Sequence, residues 1–584
     1  MRAVFLSIVF SILSLSAISI DIDYSVSKQY NNIFSKNILS LRDIENYQKI
    51  FLLQKECKWK NANKYILELE SQILMGHILA QRYLHPNCYK SKFVELTSWM
   101  KMYNDLPQAK RIYRLAIRRM PDGYRSPKVP ISALGIRQDS EQTKKTLTKY
   151  ASKKQLTKNQ RSEKNLLISN IRKRVNTGWP TGALKLLNQK NTQKLLDSVE
   201  IDQQKEKIAK GYFLANKNEL AIRYASEALD RSPNHVAFAN WTAGLSAWRL
   251  QDYVLASEFF SNFSISQSSN PWHEASGAFW AARSFGKLKN YKEINFWLSK
   301  AAKHTGTFYG QLAIEILGIE NPIDWADEKI HSDTEEIFYQ LPAGKRIMAL
   351  MQIGRVEEAE SELIKLNKTI NKSVAQTSLE VARKFNFART QLKIANKLSS
   401  IGEDVPLKYF YPTPNWLPSS AYVVERALVF AFIHQESTFN KNAKSRKGAI
   451  GLMQIMPSTA KFISKNKTVK RGNSNVLKDP LINLEVGQDY IQYLLKTKDV
   501  NNNLIFMAAA YNGGPGNLKK WMTETNYSDD TLLFMESIPS RETRSFIENI
   551  LTKYWIYKNQ FNEENTTLFK LASGKEPVYP KKDN

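Results

Sequence analysis

From about Asn31 to Gly402 apolar residues recur at helical spacing, Gly and Pro are sparse, and the strict alternation of a strand is rare. The pattern predicts helix after helix. A weak repeat runs through the middle. Leu220-Ala221 in NKNELAIRYASEAL returns 35 residues later as Leu255-Ala256 in QDYVLASEFFSNF, and Asp252-Tyr253 returns 38 residues later as Asn290-Tyr291 in KNYKEINFWLSKAA. The intervening ANWTAGLSAWRL and ASGAFWAARSFGKL carry small and aromatic residues at helical spacing, and a further pair ends in ALMQIGRVEEAESEL. Small residues where helices cross, at such a period, predict stacked helical hairpins that bury their apolar faces on their neighbours. The alternative is a non-repetitive helical domain. The pattern stops at VPLKYFYPTPNWLP, residues 405–418, where four prolines in fourteen residues break helices. The predicted organisation is a helical solenoid over 20–405, a Pro-rich linker over 406–418, a compact domain over 419–562, and a polar, poorly ordered tail over 563–584.

Composition is that of a globular protein: 584 residues, 42% apolar and 24% charged. Lys and Arg exceed Asp and Glu by 84 − 55 = 29, so the surface favours polyanions. Residues 138–174 are polar and basic, either a solvated linker or outward helix faces. Arg2, the apolar run Ala3–Ile20 and the small-x-small site Ala17-Ile18-Ser19 predict a cleavable signal peptide over residues 1–19. A membrane anchor is the alternative. No later apolar stretch is long enough to span a bilayer, so the mature chain is expected to lack a transmembrane segment. Export to the periplasm demotes nucleic acid as a partner. The chain has two cysteines, Cys57 and Cys88, either paired in an oxidising compartment or buried as free thiols. No metal site is expected, because none of the 7 His forms a ligand-spaced cluster with Cys.

The candidate chemistry lies in the C-terminal domain. AYVVERALVFAFIHQ, Ala421 to Gln435, is apolar almost all round beyond Arg426 and reads as a buried central helix, with Glu436 directly after it. The negative end of the helix dipole and desolvation both raise the pKa of such a carboxyl, which suits a general acid. The plainer alternative is an exposed helix-terminal Glu. Further on, Gly448 and Gly451 precede LMQIMPSTA, and Ala508–Tyr511 leads through Asn512 into a Gly-Gly-Pro-Gly turn at 513–516.

The motifs ES-x-F, GAxGLMQIMPSTA and AAYNGGPG, in this order and spacing, resemble those of the soluble lytic transglycosylases of glycoside hydrolase family 23. Glu536-Ser537-Ile538-Pro539 with Glu542-Thr543-Arg544 agrees, as do DPLINLEVGQDYIQYLL (479–495) and, upstream, GHILAQRYLHP, PQAKRIYRLA and TFYGQLA. Ser445-Arg446-Lys447 departs from a frequent Ser-Pro-Ala, and Gly513, Asn517 and Ser540 depart from other common residues. The resemblance implies a mainly α fold, an N-terminal α-superhelical, TPR-like solenoid plus a C-terminal lysozyme-like α domain. It implies cleavage of the MurNAc-β-1,4-GlcNAc bond of peptidoglycan without water, giving 1,6-anhydromuramoyl ends, with Glu436 as the single general acid and base and no cofactor. Ser437 and Gln454 would orient the acid or a substrate acetamido group, and Met453 would pack at the cleft wall. Tyr511 would hydrogen-bond near the acid, Asn512 would contact ligand or serve as a turn residue, and Glu536 would line the cleft. Glu485 and Asp489 read as a solvated helix face. The expected partners are peptidoglycan glycan strands, with anionic envelope surfaces attracted by the basic charge. A water-using muramidase and a non-catalytic glycan-binding solenoid are the alternatives.

Overall fold

The computed structural model describes residues 37–131, 150–152, 154–267, 270–326, 332–369, 372–417, 421–464 and 466–580. The expected leader, residues 1–19, lies outside them, as do 138–149 of the basic segment. Among the described residues the fold is helical, and β pairing is limited to isolated bridges at Lys444–Ile450, Ile450–Ile455 and Asn503–Val578. Among the described residues no helix is long and apolar enough to cross a membrane.

The helical hairpins have a local cause. Asn216, Gln251 and Lys289 adopt left-handed φ values of 56, 61 and 57°, and they are 35 and 38 residues apart, the spacings of the sequence repeat. Each ends one helix of a pair. The next residue donates back across the turn, Lys217 N to Tyr212 O, Asp252 N to Ala247 O and Asn290 N to Phe285 O. Gly354 makes the same turn in QIGRVEEAE, with Arg355 N donating to Leu350 O. Where helices cross, small residues are required: a Cβ on Gly277 would lie 2.7 Å from the Ser264 backbone nitrogen.

The chain divides into two compact units, and the division is not the one expected. The first comprises residues up to Lys145 with Ala326–Asn415. Its core joins Tyr47, Ile50 and Leu74 to Ile347, Leu350 and Leu363. Within it His77 meets Glu362 at 2.8 Å, and Arg346 bridges Glu362 and Asp105. Cys57 and Cys88 are joined by a disulfide. His85 lies beside it, its ligand atoms and both sulfurs all within 4.8 Å. The expectation that no His groups with the cysteines is therefore corrected; both sulfurs are held in the S–S bond, whereas metal ligation needs the thiolate. Residues 406–415 of the expected linker also belong to this unit. Leu407–Phe410 forms a single 3-10 turn, Tyr409 and Tyr411 are buried, and Gln391 donates to Tyr409 O.

The second unit joins Thr146–Trp325 to Trp416–Asn584. The middle of the expected solenoid thus belongs with the C-terminal domain. The physical reason is a dense contact of aromatic and charged side chains. Phe308 stacks on Trp555 with centroids 5.2 Å apart, Arg283 pairs with Asp530 at 2.9 Å, and Arg249 donates to Ser537 Oγ. The described part of the expected loose tail, residues 563–580, is ordered as well. Thr566–Ala572 is helical, Leu504 N donates to Pro577 O, and the Tyr579 hydroxyl accepts from Glu425 N.

Candidate active site

The central helix runs Arg426–Ser437, starting later and ending later than predicted, and Ala427 to Ile433 are buried without interruption. At its start, Val423 N and Val424 N donate to Gln488 Oε1 instead of continuing the helix. Its end is set by left-handed Thr438 and Phe439, with φ of 48 and 61°. Glu436 therefore stands in the last helical turn. Burial, and then the negative charge of Glu542, push its carboxyl up to about 8. Glu542 was missed in the sequence, where its place in the ETR motif gave no hint that the chain returns it to Glu436.

The loop opposite is built around one side chain. Asn483, fully buried on the Pro480–Lys496 helix, accepts from Met453 N and donates to the carbonyls of Ile450 and Leu477. Gly451, at φ +84°, fits against it: a Cβ there would lie 2.2 Å from Asn483 Nδ2. Met453 is buried with its sulfur over Gly487, and its carbonyl accepts from the Tyr511 hydroxyl at 2.8 Å. The Tyr511 ring lies 4.5 Å from that of Phe432 on the central helix. Burial and the charge of Glu436 raise the Tyr511 phenol well above its ordinary range, so it stays a neutral donor. Gln454 takes a left-handed φ of 49° and its amide donates to Gly451 O.

The remaining expected residues sit as follows. Ser437 Oγ donates to Ile433 O, one turn back in its own helix. Asn512 Oδ1 accepts from Thr543 Oγ1, tying the Leu504–Gly513 helix to the start of the long helix Arg541–Gln560. Glu485 and Asp489 are half-buried on the Pro480–Lys496 helix. Glu536 is buried, and its carboxylate accepts from the Tyr309 hydroxyl at 2.6 Å, with Arg544 and Lys210 as neighbouring charges. It lines a cavity of about 590 Å³ that also holds Glu206, Trp241, Arg541 and Glu548, and Glu436 is not among the lining residues. Tyr309 lies in TFYGQLA, a segment that carries the family resemblance, but its role at Glu536 was not read from the sequence.

Lys553, on the long helix, is buried with no carboxylate partner among the described residues; burial lowers its ammonium to about 7. It donates to Gln435 Oε1 at 3.0 Å and Asn549 Oδ1 at 2.8 Å, so it holds the turn that carries Glu436. The imidazole of His434 is kept neutral by burial and by the charge of Lys553.

Residues 418–534 match the Transglycosylase SLT domain family. The soluble lytic murein transglycosylase of Escherichia coli K12 is 32% identical over 267 residues, 45% of this chain and 40% of that protein. The Salmonella typhimurium protein of the same name is 32% identical over 266 residues. The chain thus spans about two fifths of the length of these curated relatives. The lytic transglycosylase Slt of Pseudomonas aeruginosa, solved as an inactive mutant, shares the fold at a TM-score of 0.55 and 18% identity, covering 91% of this chain and 87% of its own. The 70-kDa soluble lytic transglycosylase in complex with bulgecin A does so at 0.52 and 17%, covering 98% and 92%. Residues 418–534 thus match the Transglycosylase SLT domain, and the chain as a whole shares its helical fold with lytic transglycosylases of known structure.

Proposed function

We propose that this chain is a periplasmic lytic transglycosylase that cleaves the MurNAc-β-1,4-GlcNAc bond of peptidoglycan without water. The observation that carries the reading is Glu436: a carboxyl held protonated near neutral pH at the end of the central helix, beside the neutral phenol of Tyr511. Glu436 donates its proton to the glycosidic oxygen as the C1–O bond breaks. The substrate's own acetamido oxygen stabilises the positive charge at C1. The C6 hydroxyl of MurNAc then attacks C1 and returns its proton to the Glu436 carboxylate, which leaves a 1,6-anhydro ring and a regenerated acid. Intramolecular attack outcompetes water through its high effective molarity. Glu542 acts in this scheme by its charge, which disfavours ionisation of Glu436, and Lys553 by holding Gln435. A non-catalytic glycan binder has no use for an acid tuned in this way.

Digestion of purified sacculi in ¹⁸O-labelled water, followed by mass spectrometry, tests the reading. Unlabelled 1,6-anhydro ends are expected. Products dominated by labelled reducing ends would replace it with a water-using muramidase, for which Glu542 supplies a second carboxylate.

A further inference from the structure

The positive charge of the C-terminal domain is concentrated in one lobe. Residues 437–478 hold ten Lys and Arg and no Asp or Glu, +10 of the chain's +29. The following stretch, 479–580, holds 13 acids against 10 bases, a net of −3. A general lysine bias would have spread over both. The basic side chains described in the lobe are all exposed, and the lobe itself contains no Asp or Glu.

The lobe is continuous with the site. Arg446 and Lys447 precede Met453 and Gln454 in one loop, and Lys470 and Arg471 lie in the segment leading to Leu477. Asn483 binds the carbonyls of both Ile450 and Leu477, so the two basic stretches are fastened to one helix. A run of rings leads outward from the site: Tyr511 to Tyr490 at 5.2 Å, Tyr490 to Tyr493 at 6.4 Å and Tyr493 to Phe462 at 5.3 Å. Phe462 ends the run 67% exposed, next to Lys461.

We propose that this lobe is an electrostatic landing surface for the carboxylates of peptidoglycan stem peptides outside the disaccharide being cleaved, and that it holds the enzyme on the insoluble polymer. The inference rests on the reading of the site as one that acts on peptidoglycan. The occupant follows from chemistry. The surface is cationic and runs on from the glycan site, and stem peptides are the anionic groups that a glycan strand in that site carries along with it. Charges this exposed act through the field over the surface, which raises local concentration and is screened by salt.

The test is co-sedimentation of the full chain, carrying Glu436→Gln so that nothing is digested, with intact sacculi and with sacculi stripped of stem peptides by an amidase. The comparison variant adds Arg446→Gln, Lys447→Gln, Lys470→Gln and Arg471→Gln, all at exposed positions. Affinity of this variant for intact sacculi should fall by about tenfold at low salt, and its salt dependence should flatten. On stripped glycan the two proteins should bind alike. With Glu436 restored, turnover of a short soluble glycan should be unchanged by the four substitutions. Equal retention of parent and variant on intact sacculi would overturn the proposal, as would parent binding that ignores stem-peptide removal. Loss of binding confined to phosphatidylglycerol vesicles would assign the lobe to a lipid surface instead. Because retention is read without turnover, failure to find anhydro products would sink the catalytic reading and leave this measurement standing.

Discussion

At the residue scale Glu436 carries the argument, and its environment sets the sign of its pH dependence. The reaction needs the protonated form first, so kcat/KM should hold at neutral pH and decline as pH rises through about 8. Glu542→Gln removes a neighbouring negative charge. The alkaline limb should therefore move to lower pH, which a pH–rate profile reads directly; an unmoved limb would show that Glu542 does not act on Glu436. Glu436→Gln should fold and lose about 10² to 10⁴ in turnover, as loss of a general acid does. The same raised pKa means that the native carboxyl costs stability as pH climbs from its unfolded value through about 8. Thermal melts of Glu436→Gln should accordingly gain on wild type between pH 5 and pH 8. The acid was legible from its place after an apolar helix and from its motif. Glu542 and Lys553 were not, because each reaches the site only when the long helix Arg541–Gln560 packs on the central one.

At the scale of elements, the loop 443–456 is held by Asn483 and by a glycine that must be left-handed. Gly451→Ala would meet strain of about 1–3 kcal/mol from its φ alone. It would also drive Cβ to 2.3 Å from the Leu477 carbonyl, a backbone atom with no easy retreat. A lowered melting temperature is expected, together with reduced activity, since Met453 O orients Tyr511 through the same loop. If the variant melts with wild type, the loop is not fastened as described. The two glycines of this segment were legible as turn signals, and the buried Asn of DPLINLEV was passed over, because a lone polar residue in a helix does not reveal which carbonyls it serves. Glu536 shows the converse. Its motif suggested the cleft, and what the sequence did not show is its partner, Tyr309 from a solenoid helix, on the wall of a cavity.

For the whole molecule, the disulfide and the candidate site lie in different compact units. The bond closes a loop with a sequence separation of 31, for which chain-entropy arguments give about 3 to 4 kcal/mol. Reduction should therefore lower a thermal transition in the first unit while turnover at 25 °C stays near its oxidised value. Equal loss of activity would mean that the units unfold as one. Truncation after Gly574 should act on the second unit, because it deletes the Tyr579 hydroxyl that receives Glu425 N at the head of the central helix. A lower melting point and lower turnover are expected, measured on the otherwise intact chain.

What the sequence determined by itself is what local chemistry decides. Helical periodicity, the sequence repeat at a spacing of 35 and 38, and an apolar helix with Glu436 directly after it all act within a few residues, and each was readable without a fold. The tertiary structure alone decided how the chain divides, since Phe308, Arg249 and Arg283 bind the middle hairpins to the C-terminal domain across more than two hundred residues. It also decided that residues 563–580 are ordered, that Ser437 and Asn512 bond within the scaffold, and which carboxylate faces Glu436. These outcomes depend on long-range burial and pairing, where the free energy of a side chain is set by partners its own neighbourhood in the sequence does not contain.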